Sequence, residues 1–144
     1  MAGPQFFTPK SVRPSRPRRR FTLEEANKSL PLVKRIVADI VRTHSEASQL
    51  QQQFERNTVK AEQVAVQDQL EKAMHRLEDF VDELSEVGCD LKDYQMGLID
   101  FTGRHEGRDV CLCWKLGEEK IGFWHEMESG FAGRKPVSLL LEGE

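Results

Sequence analysis

An apolar residue at every seventh position constrains this chain more than any other feature. Leu70, Leu77, Leu84 and Leu91 repeat at that interval, and the apolar positions between them alternate in steps of four and three. A heptad repeat of this kind is typical of a helix that packs along one side against a second helix. The pattern begins at Val59 and predicts one long helix, which a glycine near its end, Gly88, would stop.

The preceding segment predicts the partner helix. Thr22-Leu-Glu-Glu25 fits a capping box, with Phe21 placed as a hydrophobic staple. Pro31 would remove a hydrogen bond from a helix interior, so we expect a short helix over 23–29 and a kink or restart at Ser29–Pro31. The polar Arg56-Asn-Thr58 then links the two helices into an antiparallel hairpin about 40 Å long at 1.5 Å per residue. Between the proline and this link runs one helical stripe: Val33, Val37, Ile40, His44, Ala47, Gln51 and Phe54.

The period of the apolar residues changes from helix to strand after Asp93. Met96–Thr102 predicts a strand, 103–107 a turn, and Asp109–Leu116 with Ile121–Met127 a β-hairpin. The predicted fold is therefore α+β: a long antiparallel helical hairpin (22–92) packed on a small antiparallel sheet of three or four strands (a β-meander, 96–141). Both belong to a single domain, 21–144, which follows a tail at 1–20.

Pairing Leu116 with Ile121 in this β-hairpin assigns each residue to a face of the sheet. His125 then lies opposite Leu112 on the apolar face that packs on the helices, and Asp100 on the neighbouring strand shares that face. A buried imidazole needs a polar partner. His125 is therefore either a core histidine, bonded to Asp100 or to a backbone carbonyl, or a pocket residue that contacts a ligand, holds a metal or acts as an acid or base. The other face would carry Cys111, Cys113, Trp124 and Glu126.

Two further groups are candidate sites. Cys111 and Cys113 share a strand face and could be half of a metal site with His125, although structural zinc sites usually have a Cys-x-x-Cys turn and two more ligands; buried, inert thiols are the alternative. Gly130 and Gly133 could aim backbone amides at a small anionic ligand, with Arg134 as a bidentate donor. Alternatively, these glycines form a tight connection and Arg134 pairs with a carboxylate.

Charge separates the N-terminal tail from the rest of the chain. Residues 1–20 contain four prolines and six basic residues and no acidic one, which leaves 15 of the 21 basic residues against 24 acidic ones in the remainder. The prolines predict a disordered tail. It could dock on nucleic acid or another anionic surface, or be a solubilising extension that folds back on the acidic body. The acidic body itself disfavours a nucleic-acid-binding domain.

Composition places the protein in the cytoplasm. Its three cysteines, without a recognisable signal peptide, are typical of reduced thiols. No apolar run approaches the roughly 18 residues that would span a membrane.

In combination, these motifs resemble a prokaryotic family catalogued as domain of unknown function 2203. The resemblance covers residues 21–137 and rests on Phe21-Thr-Leu-Glu-Glu-Ala-Asn27 with Leu30-Pro31, Gly97-Leu-Ile-Asp-Phe101, Leu112-Cys-Trp114, Gly117-Glu118, Ile121, Trp124-His125, Gly130-Phe-Ala-Gly-Arg134 and Pro136. It implies a bacterial source and a shared architecture, but it brings no established activity, cofactor or partner. The family's motif residues here are Asp100, Cys113, Trp114, Glu118, Trp124, His125, Phe131, Gly133 and Arg134.

Two functions from different classes follow. The favoured one is a ligand-binding or protein-interaction module, in which the helical hairpin engages a protein partner or a second copy of the chain. The alternative is a small enzyme or metal-binding protein with a site around His125, Asp100, Glu126 and Arg134. In either case we expect His125, Asp100 and Arg134 to meet in one concavity between the sheet and the hairpin. The candidate ligand-binding residues are Asp100, Trp114, Trp124, His125, Glu126, Gly133 and Arg134.

Overall fold

Two long helices form the first half of the fold. The computed structural model of the protein describes residues 19–142, in which α1 spans Leu23–Arg56 and α2 spans Lys60–Val87. The predicted capping box is confirmed: the Thr22 hydroxyl accepts a hydrogen bond from the Glu25 amide, and the Glu25 carboxylate accepts one from the Thr22 amide. The predicted helical hairpin is also confirmed, with a three-residue link at 57–59.

Pro31 lies inside α1, so the restart predicted at Ser29–Pro31 is wrong. The proline itself is exposed, whereas Leu30 and Val33 on either side of it are buried in the core. Proline costs the helix one amide donor and some local clash. Burial of the apolar face before and after Pro31 outweighs that cost, because most helical stability in proteins comes from packing.

The second helix ends where the sequence predicts. Gly88 has φ 116° and ψ 14°, and its amide donates to the Leu84 carbonyl. This left-handed conformation suits glycine and closes the helix. Four residues of the predicted heptad stripe are buried in α2, but Leu91 lies beyond the stop and belongs to the first strand. The four are Leu70, Ala73, Leu77 and Leu84.

Five antiparallel strands form the second half of the fold. They are β1 (Asp90–Asp93), β2 (Leu98–His105), β3 (Arg108–Lys115), β4 (Phe123–Glu126) and β5 (Lys135–Pro136), and their order in the sheet is their order in the chain. The predicted α+β class is thereby confirmed, with one or two strands more than expected.

The turn between β2 and β3 is shorter than predicted. Gly103 lies within β2, and only Glu106 and Gly107 make the turn, with φ of 51° and 81°. Positive φ at both central residues is typical of the tight hairpin turn whose twist matches that of the strands. The turn predicted over 103–107 is therefore wrong, and β2 is longer by three residues at this end.

The register between β3 and β4 differs by one residue from the predicted one. Cys111 pairs with His125 and Leu112 with Trp124, so the predicted pairing of Leu112 with His125 is wrong. The cause is the connection at 116–122, which is not a tight hairpin turn. Glu118 bonds back to the Lys115 amide, and the Ile121 amide donates to the Asn27 side chain on α1.

This one-residue difference exchanges the two faces of β4, because successive side chains of a strand point to opposite sides. Trp124 joins the core against the helices, whereas His125 lies on the opposite face together with Asp100. Asp100 faces away from the helices because the shorter β2–β3 turn pairs it with Cys113, so the prediction that His125 and Asp100 lie on the helix-facing side is wrong. That side carries the core residues Ile99, Phe101, Val110, Leu112, Trp114 and Trp124.

Both ends of the described chain contact the sheet. The Phe21 amide donates to the Thr102 carbonyl, and Arg20 forms an ion pair with Asp109. The Glu106 amide donates to the Leu141 carbonyl. Of the tail predicted at 1–20, residues 1–18 lie outside the described residues. Within 19–142, neither helix has the length and apolar character needed to cross a bilayer.

Candidate functional site

Three strands bring three ionisable side chains together on the sheet face away from the helices. Asp100 on β2 pairs directly with Cys113 on β3, and His125 on β4 pairs with Cys111, two residues before Cys113. These positions share the same face because strand side chains alternate. The sheet therefore sets Asp100, Cys113 and His125 as neighbours; we call them the Asp–Cys–His cluster.

The Asp–Cys–His cluster is compact and buried. One ligating atom from each side chain lies within 4.8 Å of the other two. The two Asp100 carboxylate oxygens lie 3.2 and 3.3 Å from His125 Nε2. Asp100 is 6% exposed, Cys113 0% and His125 3%. Such side chains are costly to bury unless they satisfy one another or share an ion.

The hydrogen bond on the far side of His125 fixes its tautomer. His125 Nδ1 lies 2.8 Å from the Glu126 carbonyl oxygen. A carbonyl can only accept, so Nδ1 must carry a proton and donate it. In the neutral ring, Nε2 is then a lone pair that faces the Asp100 carboxylate. Two acceptors face each other there, so the contact needs either an added proton or a cation between them.

Burial changes the acid–base character of the other two members. Desolvation raises the pKa of the Asp100 carboxyl, while the charges of His125 and Lys92 oppose that rise. Desolvation, then the neighbouring Asp100 charge, raises the pKa of the Cys113 thiol to about 12. A thiol with such a pKa is protonated at neutral pH and is a poor nucleophile. The hydrogen bond between Cys113 and Asp100 raises the pKa of the thiol further. A nucleophilic cysteine needs the opposite, a neighbour that favours the thiolate.

The donor set of the cluster suits a transition metal. Thiolate, imidazole and carboxylate are the three ligand types that bind zinc. With zinc bonds of about 2.0–2.3 Å, ligand atoms in a tetrahedral site lie roughly 3.3–3.8 Å apart, close to the 3.2 Å between His125 Nε2 and Asp100. The Nδ1 bond to a backbone carbonyl is the usual outer contact of a metal-binding histidine.

Arg134 lies beside the cluster. Its guanidinium carbon is 4.0 Å from the ring centroid of Phe123, the cross-strand neighbour of Cys113, and 4.7 Å from that of Phe131. Arg134 Nη2 donates to Glu118 at 2.7 Å. The charge of Arg134 lowers the pKa of Cys113, against the larger effect of desolvation. The structure thus brings Arg134 near Cys113, on the sheet face away from the helices and not between the sheet and the helices as expected.

The other predicted site residues are not members of the Asp–Cys–His cluster. Glu126 forms an exposed bidentate pair with Arg108, and Arg108 holds the pKa of the Glu126 carboxyl below its usual value. Trp114 and Trp124 are in the helix-facing core, where each indole N–H donates to a backbone carbonyl. Cys111 Sγ lies 3.6 Å from Met127 Sδ.

The two glycines near Arg134 differ in conformation. Gly130 has φ 71°, in the left-handed region, whereas Gly133 has no positive φ. A Cβ at Gly133 would lie 2.7 Å from the Ser129 hydroxyl oxygen, so this glycine is needed for close approach. Gly133 therefore shapes the short 3₁₀ turn, Phe131–Gly133, that leads into Arg134.

Sequence reasoning assigned two residues of the site to the wrong side of the sheet relative to His125 or to the helices. Cys113 was expected on the face opposite His125, because the predicted register was shifted by one residue. Phe123 was expected on the helix-facing side for the same reason. Glu118 and Phe131 appear only among the motif residues of the resembling family. Their relation to Arg134 depends on loops at 116–122 and 127–134, whose course periodicity does not predict.

Comparisons with known proteins give one match. A family model described as uncharacterized conserved protein (DUF2203) matches residues 19–137. No curated protein and no solved structure matches the chain. The matched range includes both helices, all five strands, the Asp–Cys–His cluster and Arg134.

Proposed function

Because the chain belongs to the uncharacterized conserved protein family DUF2203, whose description names no activity, we propose a function from the site itself: the protein binds a divalent transition metal, zinc first of all, through the Asp–Cys–His cluster. The observation that carries the proposal is the approach of three different ligating atoms to within 4.8 Å of one another in a buried place. Of the two functions expected from the sequence, these contacts favour the metal-binding one.

Charge balance supports the proposal. A zinc ion bound by the Cys113 thiolate, the Asp100 carboxylate and a neutral His125 forms a group without net charge, which can be buried at low cost. The ion would replace the Cys113 thiol proton, because a coordinating thiol is deprotonated outright. It would also separate the two facing acceptors, His125 Nε2 and Asp100. Three protein ligands leave a fourth position open, as in catalytic zinc sites.

Metal analysis with matched variants tests the proposal. Wild-type protein purified under reducing conditions should hold about one zinc per chain, the content of a single site. Cys113→Ser should lower zinc affinity by more than about 100-fold, beyond the 10–100-fold typical of an outer contact. Cys111→Ser is the control, since this buried thiol of the same strand is not part of the cluster; its zinc content should equal that of wild type.

Cobalt substitution gives a second readout. A cobalt ion bound through Cys113 should produce a strong thiolate charge-transfer band, present in Cys111→Ser and absent in Cys113→Ser. Metal-free wild-type protein that takes up neither zinc nor cobalt would instead mean that Asp100 and His125 form a buried hydrogen-bonded pair. In that case Cys113→Ser and Cys111→Ser would not differ in any metal measurement.

A further inference from the structure

Arg134 carries a buried N–H donor whose hydrogen bond no described residue accepts. Within residues 19–142, two buried side-chain polar atoms lack a hydrogen-bond partner, and Arg134 Nε is one of them. The side chain is 13% exposed, and its Nη2 is already bonded to Glu118. Buried N–H groups are nearly always paired in native proteins. The Nε–H of Arg134 is therefore a donor for which residues 19–142 supply no acceptor, and it is available to a ligand.

The surroundings of Arg134 hold the guanidinium in a fixed plane. The rings of Phe123 and Phe131 lie 4.0 and 4.7 Å from its central carbon. Aromatic contacts of this kind stack on a guanidinium and leave its N–H groups free at the edges. Glu118 accepts a hydrogen bond from one of these groups. The contacts therefore orient the arginine while its Nε–H remains available to donate.

The position of Arg134 connects it to the proposed metal. Phe123, on which the guanidinium lies, is the cross-strand neighbour of Cys113. Lys115, on the strand of Cys113, has its ammonium 5.8 Å from the Phe131 ring centroid. Arg134 and Glu118 neutralise each other, and the metal with its two anionic ligands is neutral. The charge of Lys115 therefore makes the surroundings of Arg134 net positive, which favours binding of an anion.

We infer that Arg134 and the Asp–Cys–His cluster together bind a small oxyanion, the carboxylate or phosphate group of a ligand. One oxygen accepts the Arg134 Nε–H bond, and the ligand lies between the guanidinium and the fourth position of the metal. The metal half of this site rests on the proposed function, whereas the Arg134 half rests on the unpaired donor alone. Arginine suits both anions because its planar fork matches their oxygens.

Nuclear magnetic resonance tests the Arg134 half without any metal. In uniformly ¹⁵N-labelled protein, the Arg134 Nε–H signal is identified by its disappearance in Arg134→Lys, which keeps the positive charge. Titration with inorganic phosphate or acetate should shift this signal, and the shift should reach a plateau as the anion concentration rises. A shift with phosphate alone or with acetate alone supports the site and names its anion. If neither anion moves the signal, the inference is overturned, whatever the metal does.

The cobalt-loaded protein tests the metal half. Added phosphate or acetate should change the visible spectrum of bound cobalt. Arg134→Lys should lower the affinity for that anion at least about tenfold, because one charge-assisted hydrogen bond is lost. Lys135→Gln is the control, because its ammonium lies over Trp124 on the other face. Failure to bind cobalt, with the Nε–H shift intact, would reject the proposed metal function and leave the Arg134 anion contact standing.

Discussion

Two of the three buried histidines among the described residues have different kinds of partner. His125 has a carbonyl on one side and a carboxylate on the other. His44, on α1, is stacked on Tyr94 with the ring centroids 4.9 Å apart and the planes 3° from parallel. Burial lowers the pKa of His44, while the charge of Asp93 partly opposes this. A neutral ring is therefore part of the folded state at position 44.

This difference predicts how stability depends on pH. Because the folded pKa of His44 lies below its unfolded value of about 6.5, the unfolded chain binds more protons, and stability is lost as pH falls below that value. His44→Phe, which keeps the stacked ring, should reduce the fall in melting temperature between pH 7 and pH 5. Equal slopes for wild type and His44→Phe would contradict this assignment.

At the scale of elements, the two helices begin differently. α1 has a complete capping box at Thr22, whereas the N-cap of α2 is Val59, which offers no side-chain acceptor and is 50% exposed. We expect Thr22→Ala to lower the free energy of unfolding by about 1 kcal/mol, and Val59→Asp to raise it by up to about 1 kcal/mol. Chemical denaturation measures both. Changes of the same sign in the two variants would show that capping does not control these ends.

The helical hairpin was predictable because each of its signals is local. The Thr22 box, the stripe from Val33 to Gln51 and the Gly88 stop act within one or two turns of helix. The restart at Pro31 was predicted wrongly because the destabilisation by proline is also local. The packing that outweighs it involves residues distant in the sequence. The sheet register was not predictable for a related reason: the bond from Ile121 to Asn27 joins the β3–β4 connection to a distant helix.

The site was predictable in part. Asp100 and His125 were expected to share a face, and they do, because both strands changed face: the two-residue β2–β3 turn sets Asp100 opposite Cys113, and the β3–β4 connection sets His125 opposite Cys111. Cys113 required the correct register, and the neighbourhood of Arg134 required the course of two loops. A chain with the same periodicities and a tight β3–β4 turn would place His125 against the helices instead.

At the scale of the whole molecule, the part of the hairpin near its link has a small core of its own, formed by Ala47, Leu70 and Ala73. A groove of about 270 Å³ lies there between α1 and α2. Gln51 lines it, and its Oε1 is buried with no hydrogen-bond donor among residues 19–142. Half-buried Met74 adds apolar surface. The lining residues are Gln51, Phe54, Gln67, Leu70, Glu71, Met74, His75 and Glu78.

Self-association through this hairpin stays a prediction. A second copy that covers the groove should give a two-chain mass by sedimentation at about 50 µM, because an uncovered apolar flank favours association. Met74→Glu should return the protein to a single-chain mass. Gln69→Glu adds the same charge at an exposed position of α2 outside the groove and should not. A single-chain mass for wild type would rule out this association.

The strand order of the sheet also bears on how the chain folds. Each described strand pairs with its neighbour along the sequence, and α1 packs on the helix that follows it. Folding rates rise as contacting residues come closer together in the chain, because less loop-closure entropy must be lost before contacts form. The helical hairpin and the β-meander can each form early in folding, because their contacts join segments that are close in the sequence. The docking of α1 on the sheet, through contacts such as Asn27 with Ile121, is then the step that we expect to set the rate.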